Sequence, residues 1–424
     1  MTWLQRYRLR NFVLNSTWLW PALAIPIALG TNQAARWADG ALGWRAAVGV
    51  TGSQGVLTAL ASAMLTFIVF VFSIMLLAVQ LASAALSPRV IALFYRNPLL
   101  RLSLALFVFV FTFDLAVLSR IDAFVPALSA RMAVYGTIVA IAVFLYMIDR
   151  VGKSLRPVSV LSEVGRIGNA VIVAVYPERA AAAASQPRPA LDALSTGAPR
   201  AVPSARSGVV LAFDPDGLLA LARRSDCLIE VVPQVGDFVV KGDPLFRVYG
   251  SGAALDRDLL ESIALGSERT MEQDPAFSFR IIVDVASKAL SPAINDPTTG
   301  VLALDQLHHL LRAVSRRNLE TGAVRDESGR LRLLYRTPDW PDFVALAVTE
   351  IRHYGRDSIQ VVRRMRAMLE SLVHVVPPDR VARLQEELDM LHRTVERAFQ
   401  DPEDRTRADM GDSLGMGGRA VSSR

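Results

Sequence analysis

The chain has 424 residues, of which 52% are hydrophobic and 20% are charged, and its mean hydropathy is +0.33. It is too long for one compact domain and too apolar in its first third for a wholly soluble protein, so we expect a membrane part and a soluble part. The net charge of +6 comes mainly from arginine, without the aromatic-interleaved basic patches typical of nucleic-acid binding, and a single cysteine excludes a disulfide framework.

The longest apolar run, residues 56–86, contains no charged side chain. About twenty apolar helical residues cross a bilayer, so this run predicts a membrane-spanning helix. The segment Ser87-Pro88-Arg89 follows, and a proline next to a cation is expected to end the helix at the headgroups. A second run, residues 102–118, returns through the bilayer, so the two runs form a helical hairpin joined by a basic segment.

Two further runs, residues 13–29 and 132–148, complete a predicted transmembrane domain over residues 13–156, after a tail over residues 1–12. Residues 13–29 have the alternative interpretation of a cleaved signal peptide, which the tryptophans near them and the lack of a clear cleavage site disfavour. A Gly-containing segment, residues 30–55, follows this first run. Basic residues are more frequent on one side of the four spans, so we expect both termini in the cytoplasm and the chain in the bacterial inner (plasma) membrane.

Two polar side chains fall inside the apolar runs. Asp114 is costly to bury in lipid unless it faces the interior of the helix bundle, water or a partner. It either extends toward Arg120 or Arg131 at the membrane surface or belongs to an ion or solute pathway. Gln80 needs hydrogen bonds within the bundle, and holding helices together is the commoner role of such a residue.

After the last span, residues 157–207 are predicted to form a juxtamembrane helix and an Ala/Pro-rich linker. Residues 208–250 alternate β-branched runs with turn signals and predict a small β unit. The sequence VGDFVVKGDPL resembles the turn of biotinyl and lipoyl barrel-sandwich domains. The lysine that would carry a prosthetic group is missing, so we expect a barrel-sandwich-like unit without a cofactor, or an unrelated β unit.

Residues 255–400 return to helical periodicity and predict an all-α cytoplasmic domain. Its last helix carries a heptad pattern from Val381 to Ala398, which fits a bundle within the chain or, less often, a coiled coil between chains. Residues 401–424 are polar and Gly-rich, so we expect a disordered tail. The predicted fold class is therefore a multi-domain membrane protein with a four-helix transmembrane bundle, a small β unit and a C-terminal helical domain.

The densest local signal in the soluble part joins two predicted helices. Ser291 and Pro292 end one helix, and Asp296 followed by Pro297 has the pattern that begins the next. Capping leaves Asn295 without a role, so these five residues are also a candidate ligand-binding or coupling turn. The known nucleotide-loop, zinc-protease and hydrolase motifs do not occur in the sequence, and the histidines lack metal-ligand spacing, so we assign no catalytic residue, metal site or cofactor.

The segment ALSPAINDP at 289–297, together with ERTMEQDPAF at 268–277 and QLASAALSPRV at 80–90, resembles the DUF2254 family of bacterial predicted membrane proteins. The likeness extends from the first span to about residue 400. It implies a polytopic membrane protein and supplies no activity, substrate or catalytic residue.

Two classes of function fit these observations. The first is a channel or transporter with a cytoplasmic regulatory domain, which the four closely connected spans, Asp114 and Gln80 suggest. The second is a membrane-anchored sensor or scaffold that binds cytoplasmic partners, and an enzyme ranks third. In either class we expect contact with the lipid bilayer and a homo-oligomer, and we expect no nucleic-acid partner.

Overall fold

The computed structural model describes residues 1–42, 49–91, 98–121, 125–180, 199–250, 254–320 and 322–417. Most of the predicted Ala/Pro linker, residues 181–198, and the end of the predicted tail, residues 418–424, lie outside the described residues. The chain divides into two compact units: one is Leu9–Ser159, and the other combines Met1–Arg8 with Val160–Arg424.

Six helices precede the first strand in the described residues: α1 Trp3–Asn15, α2 Leu19–Leu42, α3 Val50–Ala85, α4 Pro98–Leu118, α5 Ala127–Ser154 and α6 Pro157–Val175. The predicted runs 56–86, 102–118 and 132–148 fall on α3, α4 and α5. The run 13–29 instead covers the end of α1, a 77° bend and the start of α2. Helix α2 continues to Leu42, well into the segment expected to follow the first span.

Four helical segments among the described residues have the length and hydropathy needed to cross a membrane: Val50–Leu81, Pro98–Leu118, Ala127–Ser154 and Pro157–Val175. The bent pair of α1 and α2 could count as a fifth span. The last of the four segments, α6, was expected to be juxtamembrane. Its apolar face packs against helices of the second unit, where a Cβ on Gly168 would lie 2.7 Å from the Cβ of Ser278 and 3.3 Å from Leu310. Glycine at this position therefore lets α6 approach its protein neighbours closely.

Large apolar side chains are exposed on the outer faces of α3 and α5, among them Leu65, Val69, Leu76, Ile138 and Leu145. On a water-soluble protein such a dense set would be unusual, whereas lipid is a good solvent for it. The inner faces carry a phenylalanine cluster in which the rings of Phe67 and Phe144 stack with centroids 4.2 Å apart. The bundle is thus apolar both inside and outside, which fits a membrane domain.

The described residues of the second unit contain eight strands in two open sheets. The strands are β1 Arg200–Pro203, β2 Gly208–Phe213, β3 Leu228–Val231, β4 Phe238–Val239, β5 Pro244–Tyr249, β6 Ile263–Gly266, β7 Ala323–Arg325 and β8 Leu331–Leu334. Their orders are β1-β5-β3-β8-β7 and β4-β2-β6.

The barrel-sandwich form of residues 208–250 is not confirmed, because neither sheet closes. The predicted glycine turns are present, with positive φ at Gly236 and Gly242. However, three of the strands that complete the sheets come from later in the chain: β6 pairs with β2, and the hairpin β7–β8 joins β3 through a parallel pairing. These partners could not be found from the 208–250 window alone.

Where the structure describes the second unit after β1, it also contains eight helices: α7 Pro215–Arg224, α8 Asp256–Leu260, α9 Pro275–Ala289, α10 Pro297–Val314, α11 Trp340–Tyr354, α12 Ile359–Val373, α13 Pro378–Ala398 and α14 Pro402–Ala408. An Asp-Pro pair begins α7, α9, α10 and α14, with the aspartate accepting a backbone N–H of the first turn. The heptad helix α13 packs against α11 and α12, as expected for a bundle within the chain.

The expectation of disorder from residue 401 onward is wrong for residues 401–417. Asp401 caps α14, and Asp412 is buried with its carboxylate accepting the N–H groups of Leu414, Gly415 and Gly417. Arg363 on α12 donates hydrogen bonds to the carbonyls of Met410 and Gly417. Glycine and polar residues are therefore used here for backbone hydrogen bonding against α12, a role that composition does not distinguish from disorder.

Candidate functional site: buried carboxylates of the membrane bundle

Helix α4 is the centre of the bundle, because it packs against α2, α3 and α5. Phe107 of α4 contacts Phe67 of α3, and the side chain of Gln54 at the other end of α3 donates to the carbonyl of Ile121 after α4, so these two helices are antiparallel. Helix α5 is also antiparallel to α4, since Gly136 lies against Val110 and Ala133 clusters with Val117.

Asp39 and Asp114 are both buried in this bundle but differ in their hydrogen bonds. Asp39 on α2 accepts the backbone N–H of Leu128 at 2.8 Å, and the N–H and hydroxyl of Ser129 at 3.1 and 2.8 Å. These donors lie in the first turn of α5, where backbone N–H groups have no partner within their own helix. Asp39 is thus a helix cap supplied from a neighbouring helix, and it joins α2 to α5.

Asp114 lies on α4 with none of its side chain exposed to solvent. Neither carboxyl oxygen has a hydrogen-bond partner within the described residues. The hydroxyl of Thr137 on α5 approaches the carboxyl, but it too is buried without a hydrogen bond. Burying a polar group without a partner is costly, and burying an ionised carboxylate in this way is more costly still.

The basic residues proposed as surface partners of Asp114 do not pair with it. Arg120 is exposed and lies 3.4 Å from the side-chain oxygen of Gln33, and Arg131 is exposed on α5. Asp114 is therefore buried within the bundle and does not extend toward either arginine. Other buried groups of the bundle, the Asn32 carbonyl oxygen and the Ser103 hydroxyl, also lack partners in the described part of the chain.

Gln80 occupies a different position from the one expected. It lies on the exposed face of α3, so its amide does not hold helices together inside the bundle. The end of α3 agrees with the prediction more closely: the helix stops at Ala85, and the Ser87 hydroxyl accepts the N–H of Arg89 at the start of a short 3₁₀ helix, Pro88–Val90.

The turn between α9 and α10 brings the five candidate residues together at the surface of the second unit. Ser291 donates its hydroxyl proton to the carbonyl of Lys288, and Asp296 accepts both the N–H and the hydroxyl of Thr299. Pro292 is exposed, and Pro297 occupies the first turn of α10. Asn295 has a φ of +49°, a left-handed conformation that asparagine adopts more readily than most residues. Asn295 therefore has a structural role that the sequence did not reveal.

The buried acids of the second unit all have basic or backbone partners. Asp274 caps α9 through the N–H of Phe277 and pairs with Arg269, and Glu387 accepts a hydrogen bond from Arg383 at 2.6 Å. Burial raises the pKa of both carboxyls, while the neighbouring arginines act in the opposite direction. These contacts account for the burial of both acids within the fold.

Comparisons with known proteins decide the family. The model of a family described as predicted membrane protein (DUF2254) matches residues 14–371. The chain belongs to this family. An uncharacterised protein of Mycobacterium bovis and two of Mycobacterium tuberculosis are each 26% identical to this DUF2254 chain over 423 residues, which cover 95% of the chain and 80% of theirs. No solved structure matches the chain.

Sequence reasoning missed Asp39, although it names Asp114 on the neighbouring helix. The predicted spans leave Asp39 in the segment 30–55 between two apolar runs, where an acidic side chain is not unusual. The signal that could have found it is the absence of a capping residue before α5, where Pro126 offers no side-chain oxygen. A helix start without its own cap indicates that another part of the chain supplies the acceptor.

Proposed function

We propose that this DUF2254 protein conducts or transports a cation, or a solute coupled to protons, across the membrane, and that Asp114 is the carboxylate of the pathway. The supporting observation is that Asp114 is fully buried in the central helix without a hydrogen bond to either oxygen. Such a group has no structural contact that accounts for its cost, whereas a bound cation or a proton would neutralise it. The second unit would be the regulatory domain on the cytoplasmic side.

The direction of the helices supports the proposed topology. Helix α2 is parallel to α4, because Ala28 clusters with Phe113 while Gln33, further along α2, contacts Arg120. Since α3 and α5 are antiparallel to α4, the start of α2 and the end of α5 lie at the same end of the bundle. If α2 to α5 are the four spans, the N-terminal segment and everything after α5 are on one side of the membrane. The excess of basic residues assigns that side to the cytoplasm.

This topology predicts that a periplasmic reporter fused after Arg156 is inactive, and that the same reporter fused in the segment between α2 and α3 is active. A fusion after Arg156 that is active in the periplasm would reverse the assignment. It would also favour α6 as a fifth span in place of a juxtamembrane helix.

The transport proposal is tested with the purified full-length chain in liposomes, under separate gradients of protons, sodium and potassium. We expect the wild-type protein to carry one of these ions. Flux in Asp114→Asn should be at least tenfold slower than in the wild type, whereas Asp114→Glu, which keeps an ionisable group, should retain part of it. Asp39→Asn is the matched control, since it makes the same chemical change at a buried aspartate with a structural role. Its flux per folded molecule should equal that of the wild type.

One observation favours the second candidate function, a membrane-anchored sensor or scaffold. Asp114 is completely enclosed by protein in this conformation. A small cavity lies at the opposite end of α4 and is lined by Thr17, Arg101 and neighbouring side chains. Its volume is only about 20 Å³. That volume holds about one water molecule. A wild-type protein that carries none of the three ions would support the scaffold, and unchanged flux in Asp114→Asn would overturn the role of that carboxylate.

A further inference from the structure

A cleft of about 1170 Å³ opens in the second unit between the end of α6, the last turns of α10 and the connection from α12 to α13. Its charged lining is basic: the four arginines are Arg179, Arg312, Arg316 and Arg317, and they face a single aspartate, Asp379. His309 also lines it. The remaining walls are largely apolar and include Val173, Ala313, Val375 and Pro377. The cleft thus combines a concentrated positive charge with apolar surface, and ligand sites commonly have this composition.

The cleft arginines are not held by acidic partners. Arg179, Arg312 and Arg316 are exposed, and within the described residues their side chains form no ion pair or hydrogen bond. Elsewhere in this unit arginines are usually paired: Arg280 forms two hydrogen bonds with Glu350, and Arg364 lies 2.7 Å from Asp305. The three guanidinium groups therefore remain available to a ligand.

Backbone contacts fix the positions from which these side chains extend. After α6, the N–H of Ala180 donates to the carbonyl of Arg316, and the N–H of Asn318 donates to the carbonyl of Glu178. The Arg317 side chain donates to the carbonyl of Pro177 at 3.0 Å. Arg179 is thereby held beside the residues that follow α10, so the arginines converge through the fold and not by chance extension of flexible side chains.

Stabilisation of a helix end does not explain this charge. Basic residues in a last helical turn often interact with the final carbonyl groups. In α10, that role belongs to Arg380, which donates to the carbonyls of Val314, Ser315 and Arg317. Burial lowers the pKa of His308 on α10, and the charges of Arg364 and Arg312 lower it further, while Asp305 acts in the opposite direction.

We propose that this cleft binds a small molecule with a phosphate or pyrophosphate group attached to an apolar or ring-shaped body. The planar fork of arginine matches phosphate oxygens with two parallel hydrogen bonds. Arg312 in the last turn of α10, Arg316 just after the end of that helix and Arg179 line the same cleft and can together hold one such group. The apolar walls contact the body of the ligand. This site is separate from the proposed pathway in the bundle and does not depend on it.

The phosphate can come from a soluble metabolite or from a lipid headgroup, and the test has an arm for each. The full-length protein is placed in phosphatidylcholine nanodiscs, and binding of ATP and of inorganic pyrophosphate is measured by equilibrium dialysis. In the second arm, phosphatidylglycerol replaces part of the phosphatidylcholine, and the change in thermal stability of the protein is recorded. The variants are the pair Arg312→Gln and Arg316→Gln made together, the pair Arg312→Lys and Arg316→Lys, and Arg393→Gln.

We expect the double Gln variant to weaken binding of the responsive probe by about tenfold for each arginine removed, since each loses a charge-assisted contact. The double Lys variant should lose less, because it keeps the charge but not the fork. Arg393 is the matched control, an exposed arginine on α13 outside the cleft lining, and its Gln variant should bind like the wild type.

A response of ATP or pyrophosphate identifies a soluble ligand, and a response of phosphatidylglycerol alone identifies a headgroup. If no probe distinguishes the double Gln variant from Arg393→Gln, the proposal is overturned. The double Gln variant should keep the wild-type melting temperature without ligand, because neither arginine has a partner to lose.

Discussion

The two units of this DUF2254 protein bury carboxylates in different ways. In the second unit, Asp274 is 2% exposed; it accepts a capping hydrogen bond and forms an ion pair with Arg269. Glu387 is fully buried and forms an ion pair with Arg383. In the bundle, Asp114 is equally buried, yet it is the one carboxylate among the described residues with both oxygens enclosed and unpartnered. Each of these acids of the second unit thus has at least one partner for its carboxylate, whereas Asp114 has a hydrogen bond to neither oxygen in the described part of the chain.

Asp39 strengthens this comparison, because it lies in the same bundle as Asp114. Its three hydrogen bonds show that a helix of this bundle can hold a satisfied carboxylate, with N–H and hydroxyl groups of a neighbouring helix as the donors. The lack of partners at Asp114 is consequently not a general property of the bundle. Substitution of each acid measures how much it contributes to stability, and the largest loss is expected at Asp274, which has both a capping contact and an arginine partner.

Asp274→Ala should have the largest effect, about 3 kcal/mol lost from the free energy of unfolding of the second unit. The substitution removes the cap of α9 and leaves Arg269 without its acid, and the loss of one partner of a buried ion pair is strongly destabilising. Asp274→Asn keeps a capping oxygen and should lose less. Chemical denaturation of the detergent-solubilised protein, followed by tryptophan fluorescence, measures both; equal losses in the two variants would show that the cap contributes little.

Asp39→Ala should cost about 2 kcal/mol, because the first turn of α5 loses the acceptor that α2 supplies, and the N–H groups of partly buried Leu128 and buried Ser129 remain unsatisfied. Unfolding in a mixed detergent titration, with the signal from the bundle tryptophans, gives the change in free energy. Asp39→Asn keeps one accepting oxygen and should lose about half as much. If Asp39→Ala is as stable as the wild type, the contacts of α2 with α5 do not depend on this cap.

Asp296→Ala should cost about 1 kcal/mol and Asp296→Ser should recover most of it, since serine also caps helices. Asn295→Gly should be neutral and Asn295→Ala should cost about 1 kcal/mol, because glycine and asparagine tolerate a φ of +49° at less cost than alanine does. Thermal unfolding provides these values. Loss of a binding or flux activity in Asn295→Gly at unchanged stability would instead support the proposed ligand or coupling role of the turn.

The sequence predicted local features of this fold well and distant pairings poorly. The apolar runs on α3 to α5, the break at Ser87-Pro88, and the cap Asp296 all follow from residues close in sequence. The strand partners β6 and β8, the cap that Asp39 supplies to α5 and the packing of residues 409–417 on α12 each join segments far apart in the chain. A single sequence does not specify such contacts, because many distant segments offer similar hydrogen-bonding groups.

The candidate site divides in the same way. Asp114 was found from the cost of a charge within an apolar run, an argument that needs only local sequence. Gln80 was selected by the same argument and is exposed, since apolarity alone does not tell which face of α3 meets protein. The arginine cleft was not found at all, because Arg179 and Arg312 are 133 positions apart and neither lies in a basic run. The backbone pairing of Arg179 with Arg317, after α6 and α10, brings these distant segments together.

Asp114→Asn should have the smallest effect on stability, within about 0.5 kcal/mol of the wild type. The change removes a carboxyl oxygen that accepts no hydrogen bond in the described structure, and it keeps the size and shape of the side chain. The same detergent titration used for Asp39 measures it, and Asp114→Leu, which removes the polar group altogether, should be neutral or more stable. If Asp114→Asn is as destabilising as Asp39→Asn, the carboxyl has a structural partner in the protein, and the contrast between the two aspartates disappears. If it is stable and ion flux is lost, stability and activity are separated at one residue, as expected of a carboxylate retained for function.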